Sequence, residues 1–264
     1  VKIFLKIAVV VFLLITLVLP AGCSNNPTTE QPLDKAVIID QLSLHDPNPE
    51  FIATAKQILE SFGFTVDVWQ GEDINVDFYR KLPAMGYRFV LLRVHSGTLV
   101  SQEGETTTTS DTTYLFTNEE YSATKYVMDQ LSDRVSNALM QEDTPLVFAV
   151  NSEFIKSADG TFNGSFILSM GCESFKYNDM PAAFLEKGAS VYIGWSDIVT
   201  LEYVDKATID LMTNLFTAKM TLSEGISTTL NRLGYDPYYN SYLKCTPSSS
   251  ANKTMVDILG NLVK

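Results

Sequence analysis

Residues 165–174, SFILSMGCES, decide how this chain is read. Phe166, Ile167, Leu168 and Met170 lie in an apolar run of strand length, and the run stops abruptly at Gly171-Cys172. A thiol delivered at the end of a buried strand, on a glycine turn, is placed where it meets a substrate. Residues 87–97, YRFVLLRVHSG, repeat the layout and end on His95. The chain holds 2 histidines and 3 cysteines, so two strand ends carrying one of each single out a pair.

Outward from these runs the chain alternates strands and helices. Residues 35–40, KAVIID, form a first buried strand. Residues 49–63 carry Ile52, Ala55, Ile58, Leu59 and Phe62 at helical spacing, with Pro49 at the start and Gly63 as the stop. A strand at 64–69 and a short helix at 77–82 lead into the run that ends on His95. Strand, helix, strand, short helix, strand is the rhythm of an α/β domain built on a largely parallel sheet. Residues 97–113 interrupt it. They are polar and Thr-rich, and structureless loops beyond ~12–15 residues are commonly flaps, so a mobile flap bordering His95 is expected.

Further strands are expected at 114–117, 146–150 and 189–195. Helices are expected at 120–140, 180–187, 205–219, 222–233 and 253–263. The first of these helices would align Tyr126, Val127, Leu131, Val135 and Leu139 on one side. Residues 235–250 read as irregular and tyrosine-rich.

The 264 residues carry a formal net charge of −12. That balance argues against a nucleic-acid partner, since neutralising phosphates takes clustered Lys and Arg. It also argues against polybasic attachment to anionic lipid. Residues 1–23 have a positive start at Lys2 and Lys6, an apolar centre and the small residues Ala21-Gly22 before Cys23, the layout of a secretory signal. A cysteine directly after the small residues resembles the prokaryotic lipoprotein signal, which implies lipidation of Cys23. An uncleaved membrane anchor is the alternative, because the apolar run approaches the ~20 residues that span a bilayer. Either reading puts the remainder outside the cytoplasm, anchored to the membrane, with residues 24–34 as a polar tether and 35–264 as one domain.

In open parallel sheets ligands collect at the carboxyl ends of the strands, so His95 and Cys172 share a rim if their strands are parallel neighbours. An adjacent imidazole activates a thiol and then protonates a leaving amine. Attack on an amide also needs donors for the developing oxyanion. The backbone N–H groups of Cys172 and of Ser96 or Gly97 are candidates, with Gly171 and Gly97 allowing sharp turns. No cofactor is implied. Two histidines and no close cysteine pair give no zinc spacing.

A hydrophobic block ending in His95-Ser96-Gly97, and a later one ending in Gly171-Cys172, resemble the caspase-fold cysteine peptidases, which include caspases, gingipains and clostripain. Residues 182–198, AAFLEKGASVYIGWSDI, are similar to the gingipain-like branch. The resemblance covers residues 36–230. It implies a three-layer caspase-like fold, a mainly parallel sheet flanked by helices, and hydrolysis of a peptide or protein substrate by Cys172 with His95 as general base and acid. Caspase-like pairs sit ~50 residues apart, and the separation here is longer. Ser96 stands where His-Gly is the commoner pairing. Met170 occupies the place, two before the nucleophile, where some members carry a carboxylate that selects a basic side chain. Asp197, Glu173 and Asp179 are the substitutes, and Trp195 is a candidate cleft residue.

Plainer readings stand beside these. Cysteine is among the most often buried residues, His95 can be a structural histidine, and Cys172 and Cys245 can form a disulfide in an oxidising compartment. A non-catalytic caspase-fold binding or assembly module is the alternative function. His45 reads as a solvated loop residue.

Overall fold

The computed structural model describes residues 34–103, 106–141 and 143–260. Its centre is a sheet of six strands: β1 (Lys35–Asp40), β2 (Thr65–Gln70), β3 (Phe89–Arg93), β8 (Phe166–Ser169), β9 (Val191–Trp195) and β10 (Leu243–Thr246). Their order across the sheet is β10-β9-β8-β3-β1-β2, with every neighbouring pair parallel except β10 against β9. β3, β8 and β9 are buried along their whole length. They read as unbroken apolar runs because both faces of the sheet are covered.

One face takes Ala36, Ile38, Phe89, Leu91, Phe166, Leu168, Val191 and Ile193 into a core with α1 (Pro49–Phe62), α6 (Leu201–Met212), α7 (Leu222–Leu233) and α8 (Met255–Leu259). The other buries Val37, Ile39, Val90, Leu92, Ile167 and Tyr192 against α2 (Val76–Lys81), α4 (Ser152–Ser157) and α5 (Asp179–Glu186). The result is an α/β architecture with helices on both faces of a mostly parallel sheet. Helix ends follow their local chemistry. The Asn48 side chain accepts from the Phe51 N–H at 3.0 Å, Pro49 fills the first turn, and Gly63 closes α1 at φ 113°. A Thr221/Glu224 capping box opens α7.

Between β3 and β8 the chain builds a second, antiparallel sheet ordered β4-β5-β7-β6. Here two expectations fail. Residues 97–113 are not a loop: β4 (Ser96–Glu103) and β5 (Thr106–Glu120) form a long hairpin. β-branched threonine suits a pleated strand, and polarity had hidden that propensity. Nor is 120–140 one helix. It divides into α3 (Val127–Leu131) and β6 (Val135–Ala138), which pairs with β7 (Val147–Asn151). The Asp129 carboxylate fixes the short helix by accepting from Arg80 at 2.7 Å and lying 2.8 Å from Arg134. Val135 alone of the five aligned apolar residues is buried, Tyr126 is half-buried, and Val127, Leu131 and Leu139 are exposed.

β10 likewise emerges from a segment read as irregular. The expected helix at 253–263 is confined to Met255–Leu259 among the described residues. That at 205–219 begins earlier, at Leu201, and passes after Met212 into a π-turn at Thr213–Thr217. The expected amino-terminal signal and Cys23 lie outside the described residues. Among the described residues no helix is long and apolar enough to cross a membrane.

Candidate active site

The carboxyl rim of the parallel sheet gathers the ends of β1, β3, β8 and β9. β3 and β8 are hydrogen-bonded parallel neighbours, with Leu92 opposite Ser169, so His95 and Cys172 follow adjacent strands on the same rim. Two contacts bind these ends together. The Ser96 hydroxyl donates to the Cys172 carbonyl. Gly171 is pressed so close that a Cβ there would lie 2.1 Å from Ser96 Oγ and 2.8 Å from the Val94 carbonyl oxygen. Close approach is what requires glycine at 171, and the chain also turns directly after it, the Ser174 N–H donating to the Gly171 carbonyl at 3.4 Å. Gly97 has no such restriction, since its Cβ would meet only Glu173 Oε2, at 3.7 Å. Ser96 and Gly97 pair with Leu115 and Tyr114 in the hairpin.

The strand end at His95 is rooted in charge. Arg93 is fully buried, donating from Nη1 to Asp40 at 2.7 Å, from Nε and Nη2 to Asp205 at 3.0 Å each, and from Nη2 to the Asp46 carbonyl at 3.0 Å. Burial works against its charge, and Asp205 and Asp40 outweigh that, leaving its pKa above the ordinary value. The His95 N–H donates to Gln41 Oε1 at 2.9 Å, and the Gln41 amide in turn donates to Asn118 Oδ1 at 2.7 Å. The imidazole lies 6.0 Å from the Phe116 ring, centroid to centroid. Its Nε2 is buried without a hydrogen-bond partner among the described residues. Burial lowers its pKa below the ordinary 6.5; Asp46 opposes this, while His45 and Arg93 add to it.

The thiol is held differently. Cys172 Sγ donates to the Val199 carbonyl at 3.4 Å and accepts from the Val199 N–H at 3.5 Å. Burial pushes its pKa above the ordinary 9.0; the Val199 contact opposes this, and the Glu173 and Asp236 carboxylates reinforce it. Burial thus favours the uncharged form of both groups, and the sulfur's bonds go to Val199 and not to His95. Cys172 and Cys245 are free thiols.

The carboxylates expected near the nucleophile separate by role. Glu173, buried, accepts from the Thr98 N–H and hydroxyl at 2.9 Å each and pairs with Lys176, tying the hairpin to the cysteine turn. Asp179 opens α5 and accepts from the Thr113 N–H at 2.8 Å and its hydroxyl at 3.2 Å. Asp197 keeps its side chain 48% exposed, 3.5 Å from Lys176 Nζ. Trp195, expected to line a cleft, is instead sealed in the core, edge-on to Tyr203 at 5.6 Å. It shares a face with Val191 and Ile193 while Tyr192 faces the other core, so alternation along the strand carries it inward.

Arg93, Asp40, Asp205 and Gln41 were missed. An arginine inside an apolar run signalled them, because a buried charge demands partners. Among the described residues no group of three or more His, Cys, Asp or Glu side chains is placed to hold a metal ion. No family model and no curated protein matches this chain.

Proposed function

We infer that the protein is a cysteine peptidase of caspase-like fold, held outside the cytoplasm through Cys23 or an amino-terminal anchor, with Cys172 and His95 as its catalytic residues. The observation that carries the reading is the placement of His95 and Cys172 at the ends of adjacent parallel strands. Their ends are bound together by the Ser96–Cys172 hydrogen bond and the close approach of Gly171 to Ser96.

In the proposed reaction His95 takes the Cys172 proton as sulfur attacks the carbonyl carbon of a peptide bond. The tetrahedral oxyanion is met by backbone N–H groups of Cys172 and of Ser96, since the Gly97 N–H faces Tyr114 in the hairpin. The C–N bond breaks as His95 returns the proton to the leaving amine, and a thioester remains. Water, deprotonated by His95, attacks the thioester, releasing the carboxylic acid and the thiol. Of the three candidate carboxylates, Asp197 has the exposure to select a basic side chain. The resting thiol, neutral and bonded to Val199, must turn towards the imidazole on substrate binding. Such tightening in the substrate complex is common for catalytic hydrogen bonds.

That same bond favours a second reading, a caspase-fold binding module that does not cleave. Turnover of an unfolded polypeptide under reducing conditions separates the two. The peptidase reading expects cleavage, its loss in Cys172→Ala, and a fall of about 10²–10⁴-fold in His95→Ala, the usual worth of a general acid–base. Absence of cleavage by the unsubstituted protein favours the module.

A further inference from the structure

The segment Tyr235–Tyr242 is built inside out. Its interior anchors are polar: Asp236 is 2% exposed and Ser241 fully buried. Its aromatic side chains face water, with Tyr238 81%, Tyr239 51%, Tyr235 50% and Tyr242 42% exposed. The Asp236 carboxylate accepts from the Thr200 N–H and hydroxyl at 2.8 and 2.7 Å, and from the N–H groups of Tyr238 and Tyr239 at 2.9 and 2.8 Å. The loop is therefore firmly held while four large rings remain uncovered. Tyr235 and Tyr242 lie 5.5 Å apart by ring centroid. Folding gains nothing from leaving these rings in water, and an exposed apolar patch on a fixed loop marks a contact surface. Tyrosine suits such a surface, since it offers a large amphipathic area at low entropic cost.

The loop is also continuous with the rim that carries Cys172. The Asp197 N–H donates to Ser241 Oγ at 3.0 Å, and the Ser196 N–H donates to the Tyr242 carbonyl at 2.9 Å. The Glu173 N–H, next to the thiol, donates to the Asp197 carbonyl at 3.0 Å. Ile198, also exposed, adjoins Val199, the partner of the sulfur. These bonds, with that from Thr200 to Asp236, tie the tyrosine loop to the backbone on either side of the thiol's partner Val199 and, through Asp197, to the residue next to Cys172.

We propose that the Tyr235–Tyr242 loop is a docking platform for extended polypeptide, taking aromatic and aliphatic side chains beside the bond presented to Cys172. The proposal rests on the peptidase reading for the orientation of the chain, and binding is measured apart from cleavage. The probe is fluorescein-labelled, reduced and carboxymethylated α-lactalbumin, an unfolded polypeptide, titrated by anisotropy against full-length Cys172→Ala protein.

Adding Tyr238→Ser and Tyr239→Ser weakens binding by about tenfold or more, the loss expected on removing contact anchors, whereas Tyr238→Phe with Tyr239→Phe retains most of it. Circular dichroism confirms that these variants are folded. In the cleaving protein the serine pair raises KM and leaves kcat nearly unchanged. Binding that depends on the tyrosines without any cleavage upholds the platform and removes the peptidase. Cleavage with binding and KM indifferent to the serine pair overturns the platform and spares the peptidase. Absence of probe binding, or tyrosine-dependent binding of chitohexaose in its place, overturns the platform.

Discussion

The two strand ends that make the candidate site are secured by different physics. At Arg93–His95 the backbone is rooted by a buried guanidinium shared between Asp40 and Asp205, with Gln41 bracing the histidine N–H. At Gly171–Cys172 the chain is held by steric closeness to Ser96 and by Glu173, while the sulfur itself has only long contacts to Val199. The backbone is thus braced at both ends, by charge at His95 and by close contact at Cys172, and only the sulfur is weakly held. In the proposed reaction, assembly of the pair falls to the cysteine, whose sulfur gives up only its long contacts to Val199.

Breaking the charged brace gives the largest effect. Arg93→Met strands two buried carboxylates, and losing one partner of a buried ion pair costs about 3–5 kcal/mol, read as a lowered urea midpoint. Gly171→Ala is next. The added Cβ is driven into Ser96 Oγ and the immovable Val94 carbonyl, an overpacking worth about 1–3 kcal/mol. Adding Ser96→Gly recovers part of that loss, because the Val94 contact remains. Ser96→Ala alone removes one hydrogen bond between the ends and costs about 1 kcal/mol.

The smallest effect is in the pH dependence of stability. The unfolded His95 is protonated below 6.5 while burial keeps the folded one neutral, so its contribution to stability declines as pH falls through 6.5. The unfolded Cys172 ionises above 9.0 while the folded thiol stays protonated, so its contribution declines as pH rises past 9.0. Thermal melts of His95→Gln and Cys172→Ala should flatten the acid and alkaline limbs respectively.

What the sequence disclosed follows from the range of each interaction. β1, β3, β8 and β9 announce themselves as apolar runs because burial on both faces leaves no alternation to obscure them. α1 and α7 carry their caps within a turn of their ends. The β4–β5 hairpin was hidden because its strands are polar. β6 was hidden because Val135 finds its partner, Val150, beyond the reach of local periodicity. In the site, the placement of His95 and Cys172 at strand ends was legible from the runs themselves. The Arg93–Asp205 pair spans 112 residues, and the inversion of the tyrosine loop depends on which side of the backbone faces water. Neither is written in a neighbouring residue.

The claim that the thiol joins a fixed histidine only when substrate binds is tested most directly by comparing two alkylating reagents on Cys172, followed by intact mass. Iodoacetamide reads the resting thiol, and a pool of peptidyl chloromethyl ketones reads the assembled pair. Iodoacetamide labelling should be slow and equal with and without His95→Ala, whereas chloromethyl ketone labelling of Cys172 should fall about 100-fold or more in His95→Ala, the lower range for loss of a general base. Chloromethyl ketone labelling at the same rate in both proteins would contradict that claim.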